Sequence, residues 1–433
     1  MLHRALFCFA SLLFLGAGCS RQNDSPRGDT AAGRASDSAK ADAKPKTKRS
    51  LKLAPRTLKE ATQDNPLRPK APEGGTARNG PDRSAAPPAK LDALTLPEGF
   101  SIAMYSDEVP SARSLARGPK GVVFVSTRKD SRVYALSDPD GDHANVSVHT
   151  VAKGLDTPNG IAYRDGDLYI AEIGRILVLR GIDGRLANPP EPEVLTEALP
   201  TDPHHGWRYI RFGPDGKLYV PIGAPCNVCK RSEPIYASIA RLEPDGTGLE
   251  IFARGVRNSV GFDWHPRTKE LWFTENGRDE LGDDLPPDEL NRAPKAGIHF
   301  GFPHCHAGVI LDPKHGQEGD CAKYTPPVQQ LGPHVAALGM RFYTGTMFPA
   351  RYRGGVILAE HGSWNRTTKL GYRVMVVPLD DAGRPEGYEP LVGGFVTGDE
   401  VRGRPVDVEI LDDGSLLISD DYQGAVYRLR YGG

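Results

Sequence analysis

The sequence predicts an all-β chain: a six-bladed β-propeller preceded by a signal peptide and a disordered linker. Three observations lead there. A short strand–turn–strand unit recurs six times after Leu94. The chain is rich in turn formers, with 49 Gly and 38 Pro. No unit is large enough to bury its own apolar face, so stability requires radial repetition of the units.

The second strand of each unit is the clearest: Val122–Val125, Leu168–Ile170, Leu218–Val220, Leu271–Phe273, Val356–Leu358 and Leu416–Ile418. Gly121, Gly166, Gly216, Gly355 and Gly414 precede five of them, as hairpin turns require. First strands read as Gly160–Tyr163, Tyr209–Phe212 and Val406–Ile410. Third strands read as Val133–Leu136, Ile176–Leu179, Ile239–Leu242, Tyr372–Val377 and Val426–Leu429. Between the fourth and fifth units, about Asn276–His334 reads as a long inserted loop, and loops of that length in a compact domain are usually functional. The propeller is expected over 91–433.

The first 90 residues differ in kind. Met1–Arg4 is basic and Ala5–Gly18 apolar, the size of a secretory signal and too short to cross a bilayer. It ends Leu15-Gly16-Ala17-Gly18-Cys19, resembling a bacterial lipoprotein processing site, so residues 1–19 are expected to direct export and Cys19 to receive a lipid. Gly16 departs from the aliphatic residue preferred there, and an ordinary cleaved signal is the alternative. Ser20 is not the Asp of an inner-membrane retention signal, which favours a periplasmic protein anchored to the outer membrane. Ser20–Lys90 holds 16 Lys/Arg against 8 Asp/Glu and no apolar period, as expected of a disordered tether.

A formal net charge of −1 argues against nucleic-acid binding. Of six cysteines, four remain beyond Cys19: Cys226, Cys229, Cys305 and Cys321. An even set in an oxidising compartment implies two disulfides with three possible pairings. The pairs close in sequence, Cys226–Cys229 and Cys305–Cys321, are expected. Cys226-Asn-Val-Cys229 has no second pair to complete a zinc site, and Lys230 stands where haem attachment needs His.

Chemistry-bearing residues cluster near predicted strand ends: His205 to Arg208, Arg257-Asn258, Glu275–Asn291, His361–Arg366, and Arg402-Gly403-Arg404. In a propeller such ends surround the mouth of the central channel. Several arginines on one mouth suit a flat, multiply anionic ligand, since guanidinium grips carboxylates bidentately and stacks on planar rings. Backbone carbonyls and carboxylates suit calcium. A histidine suits proton abstraction near neutral pH. Any one arginine alone is more often a surface ion pair.

The stretches HHGWRYIRFGPDGKLYV, GAPCNVC, GVRNSVGFDWHP, NGRDELGDDLPPDELN, HGSWNR and RGRPVDV together resemble the soluble glucose/sorbosone dehydrogenase family, from about Pro97 to Tyr431. That resemblance implies an exported propeller using pyrroloquinoline quinone (PQQ) and Ca2+ to oxidise a sugar, an aldehyde or an alcohol. It implies electron transfer to an external acceptor. It also implies His205 as catalytic base and Arg257 as stabiliser of developing negative charge. Cofactor contacts would come from Arg257, Asn258, Asn276, Arg402 and Arg404, with Arg113, Arg208 and His361 also at the mouth. The carbonyls of Gly277 and Arg278 would hold the metal; Arg278 replaces the family's proline there. No nucleic acid is expected, and membrane contact only through Cys19. Two other classes fit a six-bladed propeller: a calcium-dependent lactonase, which would not need the arginines, and a binding propeller, which would not need the long insertion.

Overall fold

The computed structural model describes residues 56–57 and 91–432, apart from 142, 144 and 319. The signal segment, Cys19 and most of the linker lie outside the described residues. Six antiparallel sheets form the blades. Blade 1 is Ala112–Arg117, Val122–Thr127, Arg132–Ser137 and Ser147–Lys153. Blade 2 is Gly160–Arg164, Asp167–Ala171, Ile176–Leu179 and Glu193–Thr196. Arg56–Thr57 adds a short edge strand to blade 2, so the tether reading does not hold at those two residues.

Blade 3 is Arg211–Phe212, Leu218–Ile222, Ser238–Leu242 and Glu250–Arg254. Blade 5 is Ala337–Phe342, Val356–Glu360, Arg373–Val377 and Glu389–Val392. Blade 6 is Pro405–Ile410, Leu416–Asp420 and Ala425–Tyr431, closed by Phe100–Ser106 from the start of the domain. One sheet thus joins both ends of the propeller, which removes the open seam.

The predicted insertion is not a single loop. Pro287–Ala293 and Gln329–Pro333 are the outer strands of blade 4, beside Phe262–Trp264 and Leu271–Glu275. Ile298–His299 pairs in parallel with the edge of blade 3. The strand Pro287–Ala293 escapes recognition because it buries Asp288, Glu289 and Asn291, so it lacks an apolar signature. Cys226–Cys229 and Cys305–Cys321 are the disulfides, as expected.

Apolar contacts between neighbouring blades form the core. One cluster joins Val374 and Leu391 of blade 5 to Val408 and Ile418 of blade 6, and another joins Phe124 of blade 1 to Ile170 of blade 2. Around the channel the inner strands approach closely. A Cβ on Gly261 would lie 2.1 Å from the Leu338 carbonyl, and one on Gly339 would lie 2.0 Å from Asp407 Oδ1. Polar stitches cross the seams as well: Leu115 N–H to Asp407 Oδ2 at 2.9 Å between blades 1 and 6, and Thr274 Oγ1 to the Leu338 carbonyl at 2.6 Å between blades 4 and 5.

Candidate active site

Each inner strand begins, and each second strand ends, at the same mouth, since Ala112 pairs with Thr127, Gly160 with Ala171, Ala337 with Glu360 and Pro405 with Asp420. His205, Arg257, Asn276, His361 and Arg404 all belong to loops at these ends. The other end of the channel holds a cavity of about 530 Å³ lined by Tyr209, Arg211, Asp263, Trp264, Arg341 and Glu409. Its charges are matched internally. Arg341 pairs with Glu409 at 2.9 Å and Arg211 with Asp263 at 3.5 Å. Arginine in excess distinguishes the first mouth.

His205 lies ahead of blade 3 with φ near +52°. Its Nδ1 is 2.7 Å from the Ala224 carbonyl. A carbonyl only accepts, so Nδ1 carries the proton and Nε2 is left as the basic nitrogen. Burial, then Arg257 and His204, push this imidazole down to about 2, against the opposing Ala224 carbonyl. The ring is therefore neutral, with Nε2 unprotonated. Gly223 separates it from Arg257: a Cβ there would sit 2.5 Å from His205 Cβ and 3.3 Å from the Arg257 carbonyl. His204 is exposed, with its ring centroid 4.1 Å from that of His205.

Arg257 is buried and fully engaged. Nε donates to the Asn227 carbonyl at 2.8 Å, and Nη1 to the carbonyls of Asn276 and Gly277 at 3.1 and 2.8 Å. Nη2 reaches Asn227 Oδ1 at 3.1 Å and Asp279 Oδ2 at 3.0 Å. It acts as a fixed cation beside His205 that also shapes the 276–279 loop. Asn276 donates its amide to the carbonyls of Asn258 and Ala337. Asn258 is buried at the mouth, and its own side-chain amide bonds no other described residue, which leaves it available to a ligand. Beneath the loop, Glu275 and Glu289 are cross-strand partners, and burial together with their mutual repulsion raises Glu275 well above the carboxylate range. Asp288, pushed up to about 7 by burial, accepts the Gly277 N–H at 2.8 Å.

Across the mouth, Asp421 gathers three predicted residues. Its Oδ2 pairs with Arg113 at 3.1 Å, and its Oδ1 pairs with Arg404 at 2.9 Å and His361 at 3.0 Å. These partners hold its carboxyl well below the usual range despite burial. Burial brings His361 down to about 4. Asp420 braces the turn by accepting the N–H groups of Arg404, Tyr422 and Gln423. Asp421 was not among the sequence candidates, because a Ser-Asp-Asp-Tyr turn reads as ordinary turn chemistry; only one of its two aspartates plays that part.

Two predicted residues are placed differently. Arg208 is buried, but its guanidinium serves the carbonyls of Ile173, Pro200 and His205, so it ties the His205 loop to blade 2 and does not face a ligand. Arg402 pairs with Glu400 at the rim at 3.1 Å. Arg402 and Gly403 both donate to the Phe395 carbonyl after the small hairpin Val396–Thr397/Glu400–Val401, which fixes the backbone just ahead of Arg404.

No cluster of three or more His, Cys, Asp or Glu able to hold a metal occurs among the described residues. The predicted carbonyls remain compatible with calcium. Gly277 O takes one N–H, leaving a lone pair, and Arg278 O accepts no hydrogen bond from a described residue. The Arg278 side chain turns away to Asp312 at 2.6 Å.

Comparisons with known proteins agree with this architecture. The family described as "Glucose / Sorbosone dehydrogenase" matches residues 187–428. A protein of Borreliella burgdorferi described as uncharacterized is 32% identical over 358 residues, covering 78% of this chain and 91% of its own. The holo PQQ domain of pyranose dehydrogenase from Coprinopsis cinerea superposes with a TM-score of 0.67 at 19% identity, covering 80% of this chain and 98% of that one. The PQQ-bound aldose sugar dehydrogenase of Streptomyces coelicolor gives a TM-score of 0.57 at 19% identity, over 78% and 99% of the two chains. The apo-form soluble aldose sugar dehydrogenase of Escherichia coli gives 0.56 at 16%, over 76% and 99%.

Proposed function

Because the chain belongs to the glucose/sorbosone dehydrogenase family and is an oxidoreductase of the sugar-dehydrogenase type, we propose that it oxidises the hydroxyl of a sugar, or a related aldehyde hydrate or alcohol, with PQQ and calcium at the arginine-rich mouth. The observation that carries this reading is the pairing, across one channel mouth, of a neutral, half-buried His205 beside Arg257 with the Arg113–Arg404–His361–Asp421 group. The first side suits proton removal; the second suits an anionic, planar cofactor.

When bound, the cofactor supplies a quinone that takes the substrate hydride, with calcium polarising it. The protein's share follows from its own geometry. His205 Nε2 accepts the substrate hydroxyl proton while Nδ1–H stays anchored on Ala224. Arg257, held by five hydrogen bonds to neighbouring groups, presents fixed positive charge where negative charge develops, with no reorganisation during the reaction. Arg404, Arg113 and the Asn258 amide bind and orient the cofactor's polar edge. The Gly277 and Arg278 carbonyls would hold calcium. Electrons then pass to an external acceptor. The leader and Cys19 support a periplasmic, outer-membrane-anchored location.

The test is reconstitution. Purified protein given PQQ and calcium should acquire a quinone absorbance and reduce an artificial acceptor with a panel of aldoses, sorbosone and simple alcohols. A protein that hydrolyses lactones and takes up no quinone would overturn the reading.

A further inference from the structure

The arginines at this mouth are not equivalent. Arg208, Arg257 and Arg402 are engaged by carbonyls or by carboxylates of their own loops. Arg113, Arg128 and Arg404 form a second group, and among the described residues only one carboxylate, Asp421, makes ion pairs with it. Three guanidiniums thus share one ion-paired carboxylate, with Asp407 acting on Arg113 at longer range. Arg404 Nε is buried without a hydrogen-bond partner. A buried donor left unmade is costly, so this group is arranged for something it lacks.

Arg128 is the least occupied member. It follows the blade 1 strand Val122–Thr127 and is only partly exposed. It makes no hydrogen bond or ion pair with another described residue. Its guanidinium lies 4.3 Å from the ring centroid of Trp207, and that of Arg113 lies 5.9 Å from the same ring. Trp207 stands two residues after His205, so the platform ties this cation to the loop of the catalytic base. Stacking holds a guanidinium by its face and leaves its N–H edge free for an anion. Burial and the repulsion of Arg113 and Arg404, opposed by Asp421, bring Arg128 down to about 10, which places it in the same field.

We propose that Arg128, held flat against Trp207, is a further cofactor-binding residue of this chain, receiving a carboxylate of PQQ together with Arg113 and Arg404. Trp207 is its positioning residue. The assignment rests on the cofactor reading above.

The experiment is a binding titration of the full-length apoprotein, with calcium present, followed by tryptophan fluorescence quenching. PQQ is compared with its uncharged trimethyl ester. Arg128→Met keeps the stem that packs on Trp207 and removes the charge; it should weaken PQQ by about 10–100-fold, the range of one charge-assisted contact, and the ester by no more than about 3-fold. Arg128→Lys should recover part of the loss, which also excludes misfolding as its cause. Trp207→Phe should weaken PQQ by less than Arg128→Met. An Arg128→Met protein that binds PQQ within 2-fold of wild type, or loses both compounds equally, would overturn the assignment. So would unchanged PQQ affinity with a raised KM for an acidic sugar such as glucuronate, which would move Arg128 to the substrate. A wild type that binds neither compound would refute the cofactor reading itself and this assignment with it.

Discussion

Replacing Asp421 by Asn removes the one carboxylate that holds Arg113, Arg404 and His361 together. Asp421 and Arg113 are almost wholly buried, with side-chain exposures of 3% and 1%. Each contact is charge-assisted, worth about 1.5–3 kcal/mol taken alone. They share two oxygens and do not add, and breaking a buried pair from one side costs about 3–5 kcal/mol. We expect that loss at pH 7, with a fall in Tm of about 4–7 °C for a domain of this size. Asp421 is depressed in the fold, so its contribution is complete above the unfolded carboxyl value of about 3.9 and is lost only as pH falls through the lower folded value. His361 behaves differently. Its folded value of about 4 lies below the unfolded 6.5, so the unfolded chain takes up a proton first and stability falls between pH 6.5 and 4. Urea unfolding at pH 7 and pH 5 measures both effects. The variant should be destabilised at both pH values; the His361 share of wild-type stability should be smaller at pH 5, while Asp288 and Glu275, raised by burial, shift stability the other way. A midpoint for Asp421→Asn equivalent to less than about 0.5 kcal/mol of loss at pH 7, the size of an ordinary surface change, would refute the view that this carboxylate organises the mouth.

His205→Ala should lower turnover by roughly 10²–10⁴-fold, the usual share of a general base, while His204→Ala costs far less; steady-state kinetics with an artificial acceptor separates them, and the reverse order would assign the base to His204. Calcium should bind weakly to the apoprotein, since the mouth offers carbonyls and the described residues hold no group of three acidic or imidazole side chains able to bind a metal, and more tightly once PQQ is present; calorimetric titration with and without PQQ checks this, and equal affinities would place the metal elsewhere. Opening Cys305–Cys321, which spans 16 residues, should cost about 3 kcal/mol by the chain-entropy account, read as a shift in the urea midpoint of a Cys305→Ser/Cys321→Ser variant. Detergent partitioning should hold the wild type in the detergent phase and release Cys19→Ala to the aqueous phase; wild type found wholly in the aqueous phase would refute lipid anchoring.

The repeat was legible because second strands sit in the middle of each blade. Val122–Thr127 and Val356–Glu360 are buried along nearly their whole length, so they must be apolar in the linear chain. His205, Arg257, Asn258 and Arg404 could be assigned to one mouth from the sequence because strand ends of radially arranged sheets converge. Tertiary structure alone decided where polarity is buried. Pro287–Ala293 is a strand whose acidic side chains find partners from distant segments: Ala307 N–H for Glu289, and Ala337 N–H for Asp288. Nothing local marks such a strand. Closure of blade 6 by Phe100–Ser106 likewise depends on a partner more than 300 residues away in sequence. Orientation was the other unknown. Whether an arginine at a mouth faces a ligand or its own loop depends on which carbonyls and carboxylates reach it first. That separates Arg128 and Arg404 from Arg208 and Arg402, and gives Asp421 a role its turn sequence does not reveal.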